Sequence, residues 1–316
     1  MQSNNFQDKA SDEIVWSELL NVLQLSRKFI FKLTGVFTVL SIVLSLLLTN
    51  IYTSEALLIP TSSNANNPIS QYSDLASVAG ISIDDNNPDV TTAIAYIKSK
   101  KIISHLMKYE SFLPDLMAAK KWDKKSNSII YHEDIYDSIN NKWIRDVDFP
   151  FKQIPSELEA FEFFSDLITI SEDPQTQLIT LSVDHISPSV AQQWALWLIE
   201  EANLMVANMR IEEAESSIKY LNDQIKLTPY AELRTMFFNL IQKNTQNMML
   251  AKVNKQYALT IIDPPLIPEI ESKPIRPLII ILGTLLGGFL SISIILARKY
   301  LFGKDEEIDI FKRLQW

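Results

Sequence analysis

Residues 263–297 read DPPLIPEIESKPIRPLIIILGTLLGGFLSISIILA, and the solvent changes within this one stretch. Pro264, Pro265, Pro268, Pro274 and Pro277 punctuate a polar first half, whereas Pro277 to Ala297 carries no charge. Closely spaced prolines fix φ and remove N–H donors, so the first half is expected to run extended, through Ser272, to the start of a helix. Pro277 suits the first helical turn, where the N–H it lacks would find no partner anyway. About 20 apolar residues cross a bilayer, so 277–297 is expected to be a membrane span. Gly283 and Gly287 lie four apart and share one helix face, a Gly-x-x-x-Gly spacing that lets a second helix approach closely.

A second apolar segment, 29–50, lies near the other end, with Lys32 as its one charge. Lys32 sits close to one end and can extend its ammonium toward the headgroups. The chain as a whole is 47% hydrophobic, an average typical of soluble proteins that conceals these two segments. Residues 1–28 include Asp12, Glu13 and Glu18, and no small-residue cleavage site follows the first segment, so it reads as a retained anchor. Arg27, Lys28 and Lys32 flank the first span, and Arg298, Lys299 and Lys304 follow the second, which assigns both termini to the cytoplasm. Lys273 and Arg276 on the opposite flank weaken that bias without reversing it. The expected organisation is a cytoplasmic segment at 1–28, a span at 29–50, a periplasmic domain at 51–276, a span at 277–297 and a short cytoplasmic tail at 298–316 of an inner-membrane protein.

Between the spans the pattern is α+β. Ile51 to Pro60 is β-rich and ends at proline, and Tyr257 to Ile262 forms a second strand leading back to the membrane, so the two can share one sheet. Residues 61–90 read as a polar loop with a short ordered patch at Leu75 to Ile83, and Thr91 to Tyr109 as a helix. Residues 111–150 show no legible pattern. Leu158 to Phe164 reads as helix, and Leu167–Ser171 with Leu178–Val183 as a hairpin turning at Glu172-Asp173-Pro174-Gln175. Ser187-Pro188 then opens a helix with apolar residues from Ala191 to Ile225 spaced three and four apart. At 1.5 Å per residue it would be roughly 60 Å long, more than a small domain can enclose. Pro229 interrupts it, and a second helix from Tyr230 to about Gln256 completes a protruding arm at about 188–256. Ile211, Ala214, Ile218, Leu221 and Ile225 form an apolar stripe on the first arm helix, which must meet either the returning helix or a neighbouring subunit.

Chemistry is sparse. His105, His132 and His185 match no metal-ligand spacing and are expected on surfaces or loops. The chain has no cysteine, no Gly-x-Ser-x-Gly and no phosphate-binding glycine loop. Glu212, Glu213 and Glu215 fall on the polar side of the long helix. Net charge of −9 argues against a nucleic-acid partner. No catalytic, cofactor-binding or metal residue is therefore expected, and the chain does not read as an enzyme.

Several segments together resemble the polysaccharide chain length determinant (Wzz-type) family, the polysaccharide co-polymerases. They are Asp12-Glu13-Ile14 with Glu18-Leu19-Leu20, Ala56 to Pro60 after the first span, Glu232-Leu233-Arg234, Leu250-Ala251, Tyr257 to Pro265, and the proline-rich entry to the second span. Pro265 stands where the family more often has a small residue. The resemblance implies a membrane-proximal α/β base with a long projecting helix, assembled as a homo-oligomer. It implies regulation of the length of O-antigen of lipopolysaccharide, or a related surface glycan, built on lipid-linked polysaccharide by a Wzy-type polymerase. The alternative is an adaptor for capsule or exopolysaccharide export that works with a separate tyrosine kinase. A periplasmic sensor would need an output domain, and too few residues follow Ala297 to form one.

Overall fold

The computed structural model describes residues 24–61 and 88–302, with side chains as far as Arg298. The expected patch at Leu75 to Ile83 and the segment before residue 24 lie outside the described residues. The chain divides into two compact units, one of residues 50–272 and one of 1–49 with 273–316.

The larger unit is built on a four-stranded antiparallel sheet in the order β6-β7-β1-β8. Its strands are β1 (Tyr52–Pro60), β6 (Ile168–Glu172), β7 (Ile179–His185) and β8 (Leu259–Asp263). Alternation along β1 sends Tyr52, Ser54, Ala56 and Leu58 inward. Ile179, Leu181 and Val183 of β7 do the same, with Tyr52 opposite His185 and Leu58 opposite Ile179. The expected pairing of first and last strands is present, although β1 takes the centre of the sheet and β8 the edge.

Helix α6 (Pro188–Leu227) lies on this sheet, and its first half buries Ala191, Trp194, Ala195, Leu198, Ala202 and Val206. Trp194 is fully enclosed by Phe112 and Phe164, with ring centroids 5.2 and 5.3 Å away. Those rings come from α4 (Phe112–Met117) and α5 (Glu157–Ser165). Helix α5 starts at a capping box: Ser156 Oγ accepts from Glu159 N, and the Glu159 carboxylate accepts from Ser156 N. Beyond Ala207 only Ala214 and Leu221 of α6 are buried, and α7 (Ala231–Val253) returns alongside.

Two stretches differ from expectation. The single helix expected at 91–109 is broken into α2 (Pro88–Ile97) and α3 (Lys101–Leu106). At the break Ser99 N donates to the Tyr96 carbonyl at 3.0 Å and Ile102 N to the Ser99 carbonyl at 3.3 Å, i→i−3 bonds that replace the α-helical ladder. The illegible stretch holds α4 and two small hairpins, β2 (Ala119–Asp123) with β3 (Ser128–Tyr131) and β4 (Tyr136–Asp137) with β5 (Lys142–Trp143). Strands this short have no periodicity to read. Their turns instead place Asn127 and Asn141 at positive φ, and Tyr131, Tyr136 and Trp143 pack ring against ring.

The smaller unit pairs α1 (Arg27–Leu47) with α8 (Arg276–Phe302), both long and apolar enough to cross a membrane. Their mostly exposed leucines, isoleucines and valines are what a lipid-facing surface requires.

Candidate functional site

The candidate residues fall in three places. The first is the segment leading to the second span. Pro264, Pro268 and Ser272 line an open polar cleft of about 410 Å³ with Thr53, Glu55, Asp263 and Leu266. Backbone and side chain both tie this segment to β1. Ser272 N donates to the Ile51 carbonyl at 2.9 Å, Thr53 N donates to Ser272 Oγ at 3.2 Å, and Ser54 Oγ donates to the Leu266 carbonyl at 2.8 Å. Gln192 on α6 donates to the Pro265 carbonyl at 3.0 Å. The prolines leave their carbonyls free to accept, so the segment is held extended as a strap without forming a strand. Pro274 and Pro277 belong to the other unit, where Pro277 lies in the first turn of α8.

The second place is the glycine face of α8. A Cβ on Gly283 would overlap Ser41 Oγ and lie 2.6 Å from Ser41 Cβ. A Cβ on Gly287 would lie 2.6 Å from Phe37 Cβ and 3.0 Å from Cγ. Both glycines thus face α1 of the same chain, and Thr38 Oγ1 meets Thr284 Oγ1 at 3.0 Å between them. Gly35 has nothing within 4 Å of where its Cβ would stand and takes no part in this approach.

The third place is the arm. Ala214 and Leu221 are buried and Ile211, Ile218 and Ile225 half-buried, all on α6. Along α7, Phe237, Ile241 and Met248 are half-buried and Ala251 is buried. Lys252 Nζ also lies 3.5 Å from Glu215 Oε1 between the two helices. Tyr220, Leu227, Leu233, Met236, Phe238 and Leu240 remain exposed on the two arm helices.

Sequence reading missed the polar groups that hold the base together, and misplaced two histidines. His185 is 5% exposed rather than at the surface, because it ends the central part of the sheet beneath Trp194. Its Nδ1 accepts from Ser187 N at 3.0 Å, which leaves Nε2–H to donate to the Asp115 carbonyl at 3.1 Å. Burial lowers its pKa to about 4. Burial also raises the Asp115 carboxyl, which accepts from the Tyr131 hydroxyl at 2.6 Å. His105 sits partly enclosed, its Nδ1 2.8 Å from Glu201, a carboxylate that also accepts from Tyr109 at 3.2 Å. His132 is partly exposed in a loop.

Asn203, on the buried face of α6, makes four bonds. Its Nδ2 donates to the Ile199 and Leu259 carbonyls, and its Oδ1 accepts from Ala258 N and Leu259 N at 2.8 and 2.9 Å. The signal that could have found Asn203 was a lone polar residue on an otherwise apolar helix face. Among the described residues, no group of three or more His, Asp and Glu could hold a metal ion.

Residues 12–109 match the Wzz family, chain length determinant protein, and residues 225–300 match GNVR, the "G-rich domain on putative tyrosine kinase". A full-length bacterial polysaccharide co-polymerase aligns with a TM-score of 0.37 at 14% identity, covering 92% of this chain and 99% of that one. A fragment of WzzB, a polysaccharide co-polymerase from Salmonella Typhimurium, aligns with a TM-score of 0.28 at 12% identity, covering 71% of this chain and 100% of that one. No curated protein matches the chain.

Proposed function

We propose that this chain, a member of the Wzz-type chain length determinant family, regulates the length of O-antigen or a related surface glycan from the bacterial inner membrane. The observation that carries the reading is the position of the two family matches. The first covers α1, β1, α2 and α3, and the second covers α7, β8, the proline strap and nearly all of α8. They include both apolar helices and strands β1 and β8, which pair with each other. In this reading the domain at 51–276 is periplasmic, both termini are cytoplasmic, and the chain acts as a homo-oligomer beside a Wzy-type polymerase on lipid-linked polysaccharide. The exposed apolar residues of the arm support assembly, since such patches are where partners bind. The Gly283 and Gly287 face serves to close the span pair, and the strap from Pro264 to Ser272 sets where the second span starts. The role is regulatory, not catalytic.

The test is the lipopolysaccharide ladder of a strain lacking the gene. Polymer should persist with a broadened length distribution, and restoring the gene should restore the modal length. Loss of all polymer would reject a regulatory role. The match to a domain named for tyrosine kinases favours a second reading, an adaptor for capsule or exopolysaccharide export with a separate kinase. That reading predicts an unchanged O-antigen ladder and diminished capsule.

A further inference from the structure

We infer that the β2–β3 hairpin docks on anionic phospholipid headgroups at the face of the membrane from which the larger unit emerges. Residues 119–127 read AKKWDKKSN, and Lys120, Lys121, Lys124 and Lys125 are all exposed around a half-buried Trp122. In a chain of net charge −9 this hairpin is positive, four lysines against Asp123 alone. Asp123 is occupied in the turn, where it accepts from Ser126 Oγ at 2.6 Å and from Lys125 N at 3.2 Å. None of the four lysines forms an ion pair among the described residues.

The hairpin's place in the fold supplies the second, independent argument. The Trp122 ring meets Tyr52 edge-on, with centroids 5.3 Å apart. Tyr52 opens β1, and its neighbours Ile51 and Thr53 are the residues bonded to Ser272. Both connections to the apolar helices therefore leave the larger unit at this end. Tyr52 follows the end of the first such helix at Leu47, and Ser272 precedes the start of the second at Arg276. Five extended residues reach about 17 Å at most, so covalent tethering keeps the lysines within reach of the headgroups. Tryptophan prefers the membrane–water interface, and each lysine near an anionic surface contributes about 1 kcal/mol. Ile130, half-exposed opposite Lys121, adds an apolar side chain to the same hairpin.

This inference rests on the membrane reading above and not on control of glycan length, so a lipid assay tests it independently of any ladder. The full chain, which has no native cysteine, would carry Ser128→Cys, at an exposed position of β3, with an environment-sensitive fluorophore. It would be reconstituted in nanodiscs of phosphatidylcholine, with or without phosphatidylglycerol. With phosphatidylglycerol the probe should shift to the blue and be quenched by headgroup spin labels, and high salt should reverse both changes. Each Lys→Gln change at 120, 121, 124 or 125 should lower the docked-to-free ratio about fivefold. Equal quenching in the two lipids would overturn the proposal, and that comparison needs no variant to fold. The same blue shift on adding inorganic phosphate in lipid-free detergent would also overturn it, in favour of a soluble phosphate ligand.

Discussion

Asn203 occupies a position where its neighbours on α6, Ala202, Met205 and Val206, are apolar and buried. Its amide completes the bonding of β8 at the residues where the strand begins, so the long helix and the last strand share one side chain. Asn203→Leu removes the Oδ1 acceptor shared by the Ala258 and Leu259 N–H groups and should cost about 3 kcal/mol. Urea unfolding in detergent should show it as a lowered midpoint. His185 makes a prediction about pH. Its folded pKa of about 4 lies below the unfolded value, so between those values the unfolded chain binds the extra proton. Stability is therefore full above about pH 6.5 and falls as pH drops toward 4, by about 3 kcal/mol from this residue. Asp115 acts in the opposite sense, since its raised carboxyl favours the protonated folded form at low pH. His185→Gln should flatten the slope of unfolding midpoint against pH between 6.5 and 4. Neither residue was recognised as a buried node. His185 carries no mark of depth in sequence until the sheet and helix are superposed, whereas Asn203 on its apolar face and the capping-box spacing of Ser156 and Glu159 were signals that the reading did not use.

Elements were legible where one period persisted. The arm runs Pro188 to Leu227 and Ala231 to Val253, close to the reading from Ser187-Pro188 and Pro229. Chains of two to five residues in β2–β5 fell below any period, and the break at Ser99 is a turn of i→i−3 backbone bonds that a stripe cannot show. The α1–α8 pair yields the prediction at this scale. Lipid tails are as apolar as leucine, so the pair is held by fit and by the Thr38–Thr284 bond rather than by burial from water. Gly283→Leu with Gly287→Leu should leave insertion intact, because leucine favours the bilayer centre by about 0.5 kcal/mol. It should force the helices apart at Phe37 and Ser41. A Thr38→Cys and Thr284→Cys pair should crosslink within one chain in the native background and fail to do so in the double leucine variant. Unchanged crosslinking would show that the glycine face does not set the approach. The same variant should broaden the glycan ladder.

Across the whole molecule, the two long apolar helices stand where apolar length places them, at Arg27–Leu47 and Arg276–Phe302, and their crossing of a membrane and its orientation are the predictions at this scale. With no native cysteine, Asp8→Cys and Leu240→Cys can each be probed with a membrane-impermeant thiol reagent in cells whose outer membrane is opened. Leu240→Cys, on the exposed side of α7, should label and Asp8→Cys should not. Labelling at position 8 would reverse the topology. The order of strands was less legible than their existence, because hydrophobic alternation marks a strand but not its neighbours. That order has a consequence for biosynthesis. Strand β1 leaves the ribosome early, yet it pairs Tyr52 with His185 and Leu58 with Ile261. Elongation at about 5–20 residues per second makes β1 wait roughly 10–40 s for β8. For about the first 6–24 s, until β7 follows, both edges of the future central strand are unpaired, and one edge stays open until β8 closes the four-stranded sheet near the end of the domain. Such a domain is exposed to misassembly chiefly while it is being made, and a chaperone that shields β1 would act before any fold exists to be recognised.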